Sequence, residues 1–490
     1  MKKLIALLLA LVMVLGMVAC GAKTDAPADA PAADAPAADA PAADETAKTE
    51  ENTSDVQQAE KTNEEAITVT YFCTIGAYLD VLTAEIDKWN QGEGAEKGVY
   101  IDLTSNINDG STAIELQMQA GNHWDLMDGA SNQEWVLQGW VQDLSAIENE
   151  ELKALIASYE EYFVPNLSWK NGILTSLPLE VVPIKMAVNL DLLESAGLTV
   201  DDLKTWDGVI NAAQKITEAN PGTAWGYGGT TWTTGYIRRL HMKGMSSSIE
   251  TGYWDPNTGN YSFDQYKPII DGLKTMYENG WMLGMDDLAI DPIRAEFAAG
   301  KVGMFPAPAY DWSVYTNQFP ATCNFTFIDM PTLGEEAEYK GVYMDRVNCG
   351  IDKVNWDAAD DAKKQAILDA FLFLHSDELY STLYANAAII PYKSEIIENT
   401  EIVITQNAEQ WAAMSDLTNY TSEYQQADAI LPLEGDTFVT LFVAYMHGEG
   451  EWDEIVADLN QRYNDAWAIA LDDPDITTDT YLYDYDHTLD

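Results

Sequence analysis

The chain opens on two lysines and an apolar run from Leu4 to Leu15, and then its character changes. Between Ala22 and Ala66 large apolar residues almost vanish; a repeat of the type Asp25-Ala26-Pro27-Ala28-Asp29-Ala30-Pro31 gives way to Glu, Thr, Asn and Gln. Such a segment has nothing with which to bury a core. Periodic patterning starts at Ile67. Ile67-Thr68-Val69-Thr70-Tyr71-Phe72 has the composition of a strand, Leu79, Leu82, Ile86 and Trp89 recur at the spacing of one helix face, and Val99-Tyr100-Ile101-Asp102-Leu103 is a second strand. A helix around Ile114 to Ala120 ends at Gly121-Asn122, and Trp124-Asp125-Leu126-Met127 forms a third short strand. The alternation returns with a strand at Lys185–Asn189, a helix marked by Val209, Ala212, Ala213 and Ile216, and another marked by Ile269, Ile270, Leu273 and Met276 that stops at Asn279-Gly280. Further helices are expected from about Ala358 to Leu374 and from Trp452 to Ala470. Strands alternating with helices predict an α/β fold with mostly parallel sheets and helices on their faces.

Length changes the picture. Of the 490 residues, those beyond Ala66 are too many for one ordinary core and suit two lobes. The apolar start is too short for a durable membrane span and has the form of a secretion signal. Extended at ~3.1 Å per residue, the Pro-rich tether could reach on the order of 140 Å. The net charge of -54 argues against nucleic acid or anionic lipid headgroups as partners, since both would be repelled. Cys73, Cys323 and Cys349 show no CxxC spacing, so a disulfide framework is not expected, although one bridge stays open.

Two resemblances add to this. Gly16-Met17-Val18-Ala19-Cys20-Gly21 resembles a bacterial lipoprotein lipobox, with Met17 where Leu is commoner. That resemblance implies a signal peptide over residues 1–20, acylation of Cys20, and a protein anchored by lipid to the extracellular face of the cell membrane, with 21–66 as its tether.

Five landmarks, in order, are similar to those of the family 1 extracellular solute-binding proteins. Gln119-Ala120-Gly121-Asn122-His123-Trp124-Asp125-Leu126 resembles the family's "AAGxxPD" turn, with Trp124 in place of Pro, and Gly139-Trp140-Val141-Gln142-Asp143-Leu144 resembles its "G.l.dL" segment. Asn189-Leu190-Asp191-Leu192-Leu193-Glu194-Ser195-Ala196-Gly197-Leu198 followed by Thr205-Trp206 resembles "yNkdlfekaGl...TW", with Val188 replacing the usual Tyr. Phe297-Ala298-Ala299-Gly300-Lys301-Val302-Gly303-Met304 resembles "F..GkvgM", and Ala370-Phe371-Leu372-Phe373-Leu374 resembles "A..fl.fl". The resemblance implies a two-lobed, periplasmic-binding-protein-like fold of type II, each lobe a mostly parallel sheet flanked by helices, with a ligand cleft between lobes and a hinge of two or three crossovers. It places the first lobe at 67–180 and 333–390 and the second at 183–331 and 391–480. The implied function is capture of a carbohydrate, an oligosaccharide by likeness to the longer members, for delivery to the permease subunits of an ABC importer. A monomer without cofactor or turnover is expected.

Holding a neutral, hydroxyl-rich ligand requires aromatic faces and planar hydrogen-bonding groups, and the chain is 11% aromatic with 15 Trp. Trp232 lies in the loop Gly228–Tyr236, off any periodic apolar face, either in a cleft or packed beneath the loop. Tyr310 and Trp312 follow the Met304 strand, where the family resemblance places an aromatic against ligand. Tyr78, Asn106 and Asp125 lie beside the first three strands, whose carboxyl ends present ligands in parallel sheets; packing is the alternative for Tyr78, and capping of a local turn for Asp125. Glu180 resembles the family's polar hinge residue. Arg346, beside Asp345, offers a bidentate clamp or a surface ion pair.

Catalytic patterns are missing: the sequence has no GxSxG, HExxH or GxxxxGKS/T, and His123, His241, His375, His447 and His487 show no metal-ligand spacing. A surface glycan hydrolase and a binder of peptides or other solutes are the alternatives. Asp255-Pro256-Asn257-Thr258-Gly259-Asn260 is loosely like a calcium loop, but it lacks the distal Glu, and a hairpin turn before Tyr261-Ser262-Phe263 explains it better.

Overall fold

The computed structural model describes residues 58–486, apart from 75, 106–109, 165, 231–236, 238–240, 242–243, 246–251, 286–287, 335–339, 419, 425, 475–477 and 479–480. Cys20, Asn106 and Trp232 therefore lie outside the described residues, as do the signal segment and most of the tether.

Eleven strands carry the architecture. They are β1 Ile67–Cys73, β2 Val99–Ser105, β3 Leu126–Met127, β4 Pro178–Asn189, β5 Trp225–Thr230, β6 Met282–Met285, β7 Val302–Pro308, β8 Phe325–Asp329, β9 Gly341–Val347, β10 Gly350–Ile351 and β11 Tyr420–Ser422. The first sheet has four strands in the order β10-β3-β1-β2. There β1 runs parallel to β2 and β3, with Thr70 opposite Asp102 and Tyr71 opposite Leu126, and β10 is antiparallel. The free edge of β2 is closed by side-chain amides, which blunts it against further strand pairing: Asn90 Oδ1 accepts from Ile101 N at 2.8 Å and Gln58 Oε1 from Leu103 N at 2.7 Å.

The second sheet has seven strands in the path β6-β5-β7-β4-β9-β11, with β8 also on β4. Here β5 is parallel to β6 and β7, while β4 is antiparallel to β7, β8 and β9. Every residue of β4 is buried, which explains its near-continuous apolar run. Helices pack on both sheets. That of Trp206–Ala219 shows how sequence dictates this: Thr205 Oγ1 caps its start by accepting from Gly208 N at 3.1 Å, and Trp206, Val209, Ala212, Ala213 and Ile216 form its buried stripe.

Two main cores result. Val69, Ile101, Leu126, Leu174, Phe371 and Ile389 belong to one, and Val188, Ile216, Tyr227, Met304, Phe327, Phe442 and Trp467 to the other. The chain passes from one to the other between Leu179 and Val181 and back between Met344 and Cys349, and over Leu383–Ile397 its buried residues alternate between the two cores before it stays in the second. Gly341–Val347, grouped with the first lobe on sequence, is hydrogen-bonded along β4 and β11 in the second sheet; its weak alternation gives no local sign of this. Gly350 begins the return to the first sheet at a point where a Cβ would stand 2.4 Å from both Ala130 Cβ and Thr175 O, so only glycine lets the strands approach there.

Candidate functional site

The crossings are knitted into one small ladder. Arg346 pairs with Glu180, Glu180 bridges to Pro391, and Val181 N donates to Ile390 O at 2.9 Å. Side chains reinforce it. Arg346 Nη1 donates to Glu180 Oε1 at 2.8 Å, and Tyr392 Oη donates to Asp345 Oδ1 at 2.7 Å. The glutamate side chain is 6% exposed and the arginine 28%. Burial pushes the Glu180 carboxyl up and Arg346 opposes this; burial works against the charge on Arg346, but Glu180, with Tyr78, Tyr310 and Asp128, holds its pKa above the ordinary guanidinium value.

Those couplings identify what surrounds the pair. Asp128 follows β3, so it stands at the carboxyl end of the first sheet, where its Oδ1 accepts from Tyr71 Oη at 2.8 Å and its Oδ2 from Thr74 N at 2.7 Å. Burial raises its pKa, against the hydrogen bonds and Arg346. Tyr78 is buried beside it in the first core, and its hydroxyl has no hydrogen-bond partner among the described residues. A void of about 10 Å³ adjoins this ring, against Tyr71, Leu179 and Asn348. Tyr310 comes from the other lobe, just past β7, and is half-buried. The structure thus brings Tyr78, Glu180, Arg346 and Tyr310 to one place, where parallel strands end and the crossings begin.

The remaining candidates lie elsewhere. Asp125 precedes β3 and stands beside Thr70, midway along β1, on the amino side of β3 rather than at the carboxyl end held by Asp128. Its carboxylate accepts from Thr70 N at 2.8 Å and Lys363 Nζ at 2.6 Å, fastening β1 to the helix Asp361–Leu374. Trp312 is 5% exposed; its indole N–H donates to Asn407 O at 3.1 Å and its ring meets Trp411 edge-on at 5.6 Å. Among the described residues no cluster of His, Cys, Asp or Glu could hold a metal ion. Asp255 uses its carboxylate within a hairpin turn, accepting from Asn257 N at 2.9 Å and Thr258 Oγ1 at 2.5 Å. Among the described residues no disulfide joins Cys73, Cys323 or Cys349. No helix among the described residues is long and apolar enough to cross a membrane.

Sequence reasoning missed Asp128, although it lies in the same run as Asp125. The available signal was strand direction: the third strand read from the sequence already ends at Met127, so the residue at its ligand-presenting carboxyl end is Asp128.

Two sheets, two cores and a laddered crossing with charged and aromatic groups above it define a two-lobed binding protein. Residues 79–344 match the family model described as bacterial extracellular solute-binding protein, and the chain belongs to that family. Solved structures agree on the fold. The GacH receptor of Streptomyces glaucescens, studied unliganded and with acarbose, is 14% identical with a TM-score of 0.63, over 83% of this chain and 99% of that one. An ABC substrate-binding protein of Listeria monocytogenes in complex with cycloalternan is 14% identical with a TM-score of 0.60, over 82% and 99%. The sugar-binding protein MalE of Xanthomonas citri is 13% identical with a TM-score of 0.59, over 82% and 98%. No curated protein matches the chain in sequence.

Proposed function

We propose that this chain captures an oligosaccharide between its lobes and hands it, unaltered, to the permease of an ABC importer. The observation that carries this is the Glu180–Arg346 pair at the crossing, with Tyr310 of the second lobe and the unpartnered Tyr78 hydroxyl beside it. A neutral polyol suits such a place. The paired charges cancel each other toward an uncharged ligand yet keep lone pairs and N–H groups for hydroxyls, and a phenol ring can cover the apolar face of a sugar. An anionic ligand would meet the buried Asp128 and Glu180 with only Arg346 to offset them. Acarbose and cycloalternan, held by two structural relatives, are saccharides of this kind.

Within this proposal Tyr78, Glu180, Tyr310 and Arg346 line the site, and Asn106 and Trp232 join them on sequence grounds. The protein acts as a monomer on the extracellular face of the membrane, held through lipid on Cys20 by the 21–66 tether, with no cofactor. Calorimetric titration against acarbose, cycloalternan and maltotriose, run beside Glu180→Gln, tests it. Binding of at least one saccharide, weakened in the variant, is expected; binding of none, with a peptide library retained instead, would overturn it.

A further inference from the structure

We propose that Arg294 and Asp311 are positioning residues, which as a buried pair set the stance of Tyr310 at the cleft; this rests on Tyr310 contacting ligand as proposed above. Arg294 lies on the helix Ile290–Ala298 and divides its fork between two carboxylates: Nη1 donates to Asp291 Oδ1 at 3.0 Å and Nη2 to Asp311 Oδ1 at 2.5 Å. Its side chain is 10% exposed, and that of Asp311 is wholly buried. The guanidinium carbon stands 6.0 Å from the centre of the Tyr310 ring, within reach of a cation–π attraction. Asp311 is the next residue in the chain, so the pair grips the backbone that carries Tyr310 while the guanidinium meets its ring. Buried ion pairs add little to stability compared with apolar packing, and their better-attested use is to fix one arrangement among several.

The pair is also incompletely satisfied. Asp311 Oδ2 and Arg294 Nε, both buried, have no partner among the described residues. Burial pushes the Asp311 carboxyl up to about 6, with Arg294 opposing and Asp291 adding. Other groups facing this cluster are Tyr315, coupled to both members of the pair, and Arg346, which faces Tyr310 from β9 with Glu180 as partner. Because the folded value lies above the ordinary carboxylate one, protonating Asp311 favours the folded state relative to the unfolded chain. Acidification through 6 therefore loosens the hold on Tyr310 without unfolding the protein through this group.

The test is a ¹⁹F spectrum of the full chain with 3-fluorotyrosine at position 310, followed from pH 8 to 4.5 without ligand. The resonance is expected to move with a midpoint near 6, and Asp311→Asn, which mimics the protonated acid, should hold it at its low-pH position throughout. Glu180 still titrates in that variant, so a shift surviving Asp311→Asn would assign the effect to Glu180 and overturn the proposal. A resonance indifferent to both pH and substitution would overturn it too. Should Asp311→Asn fail to fold, Arg294→Lys carries the test, since an ammonium cannot span both carboxylates: a displaced resonance at pH 8 supports the proposal and an unmoved one contradicts it. Failure of the underlying site is read separately, as acarbose, cycloalternan and maltotriose titrations that Tyr310→Ala leaves unchanged.

Discussion

Arg346 and Glu180 face one another in register on two antiparallel strands, joined at 2.8 Å just where the chain leaves one core for the other. The pair thus joins two strands that both lead from one core to the other, where a hinge movement would bend the chain, and it also borders the cleft. Removing one partner leaves the other partly buried and uncompensated. Glu180→Ala is expected to cost about 2 kcal/mol of folding stability and to abolish saccharide binding, whereas Glu180→Gln keeps an acceptor and should lower affinity about tenfold, or ~1.4 kcal/mol. Urea melts and calorimetry separate the two effects. Affinity unchanged in Glu180→Gln would remove this residue from the site.

Asp125 and Trp312 should behave in the opposite way. Both are tied inward, Asp125 to Lys363 and Thr70, Trp312 to Asn407 and Trp411. Trp312→Ala is expected to cost on the order of 3 to 5 kcal/mol and Asp125→Ala roughly 3 kcal/mol, with saccharide affinity of the folded fraction preserved. A Trp312→Ala protein that melts like the parent but binds tenfold more weakly would return the indole to the cleft.

Acid should destabilise the fold through His375. The ring is wholly buried, stacked on Phe371 and bonded through Nδ1 to Phe371 O at 2.7 Å, and burial lowers its pKa to about 4. Below pH 6.5 the unfolded chain takes up a proton that the folded chain refuses, so stability from this group falls from pH 6.5 down to about 4, at ~1.4 kcal/mol per pH unit. His375→Gln, which keeps a donor but does not titrate, should flatten the fall in melting temperature over that window. Parallel curves for the two proteins would show that acid acts elsewhere.

Much of the fold was legible because its signals are local. Alternation over Val99–Ser105 matches the burial pattern of β2, the β-branched and aromatic run from Ile67 coincides with β1, and the stripe from Trp206 to Ile216 is the buried face of its helix. The site was legible residue by residue but not as a constellation. Glu180 and Arg346 could each be named from type and context, yet their pairing spans 166 residues and only the folded ladder brings it about. Asp125 was put forward as a residue beside the third strand, and Asp128, the residue that follows Met127 at its carboxyl end, was not named. Trp312 has Pro and Ala before it and no periodic partner, so nothing nearby in sequence announces that Asn407 and Trp411 cover it.

Anchoring is tested at Cys20. If this cysteine carries lipid, Cys20→Ala should move the protein from the membrane fraction to the medium or leave it unprocessed, judged by fractionation and intact mass. An unchanged distribution would dismiss the anchor, since none of the described helices could replace it.

The central claim is reversible capture of an intact saccharide by a single chain, and native mass spectrometry after incubation with acarbose, cycloalternan and maltotriose addresses it most directly. A monomer carrying one saccharide of unaltered mass, which leaves on dilution, is expected. Shorter sugars accumulating in the mixture, or a protein that retains none of these saccharides, would contradict it.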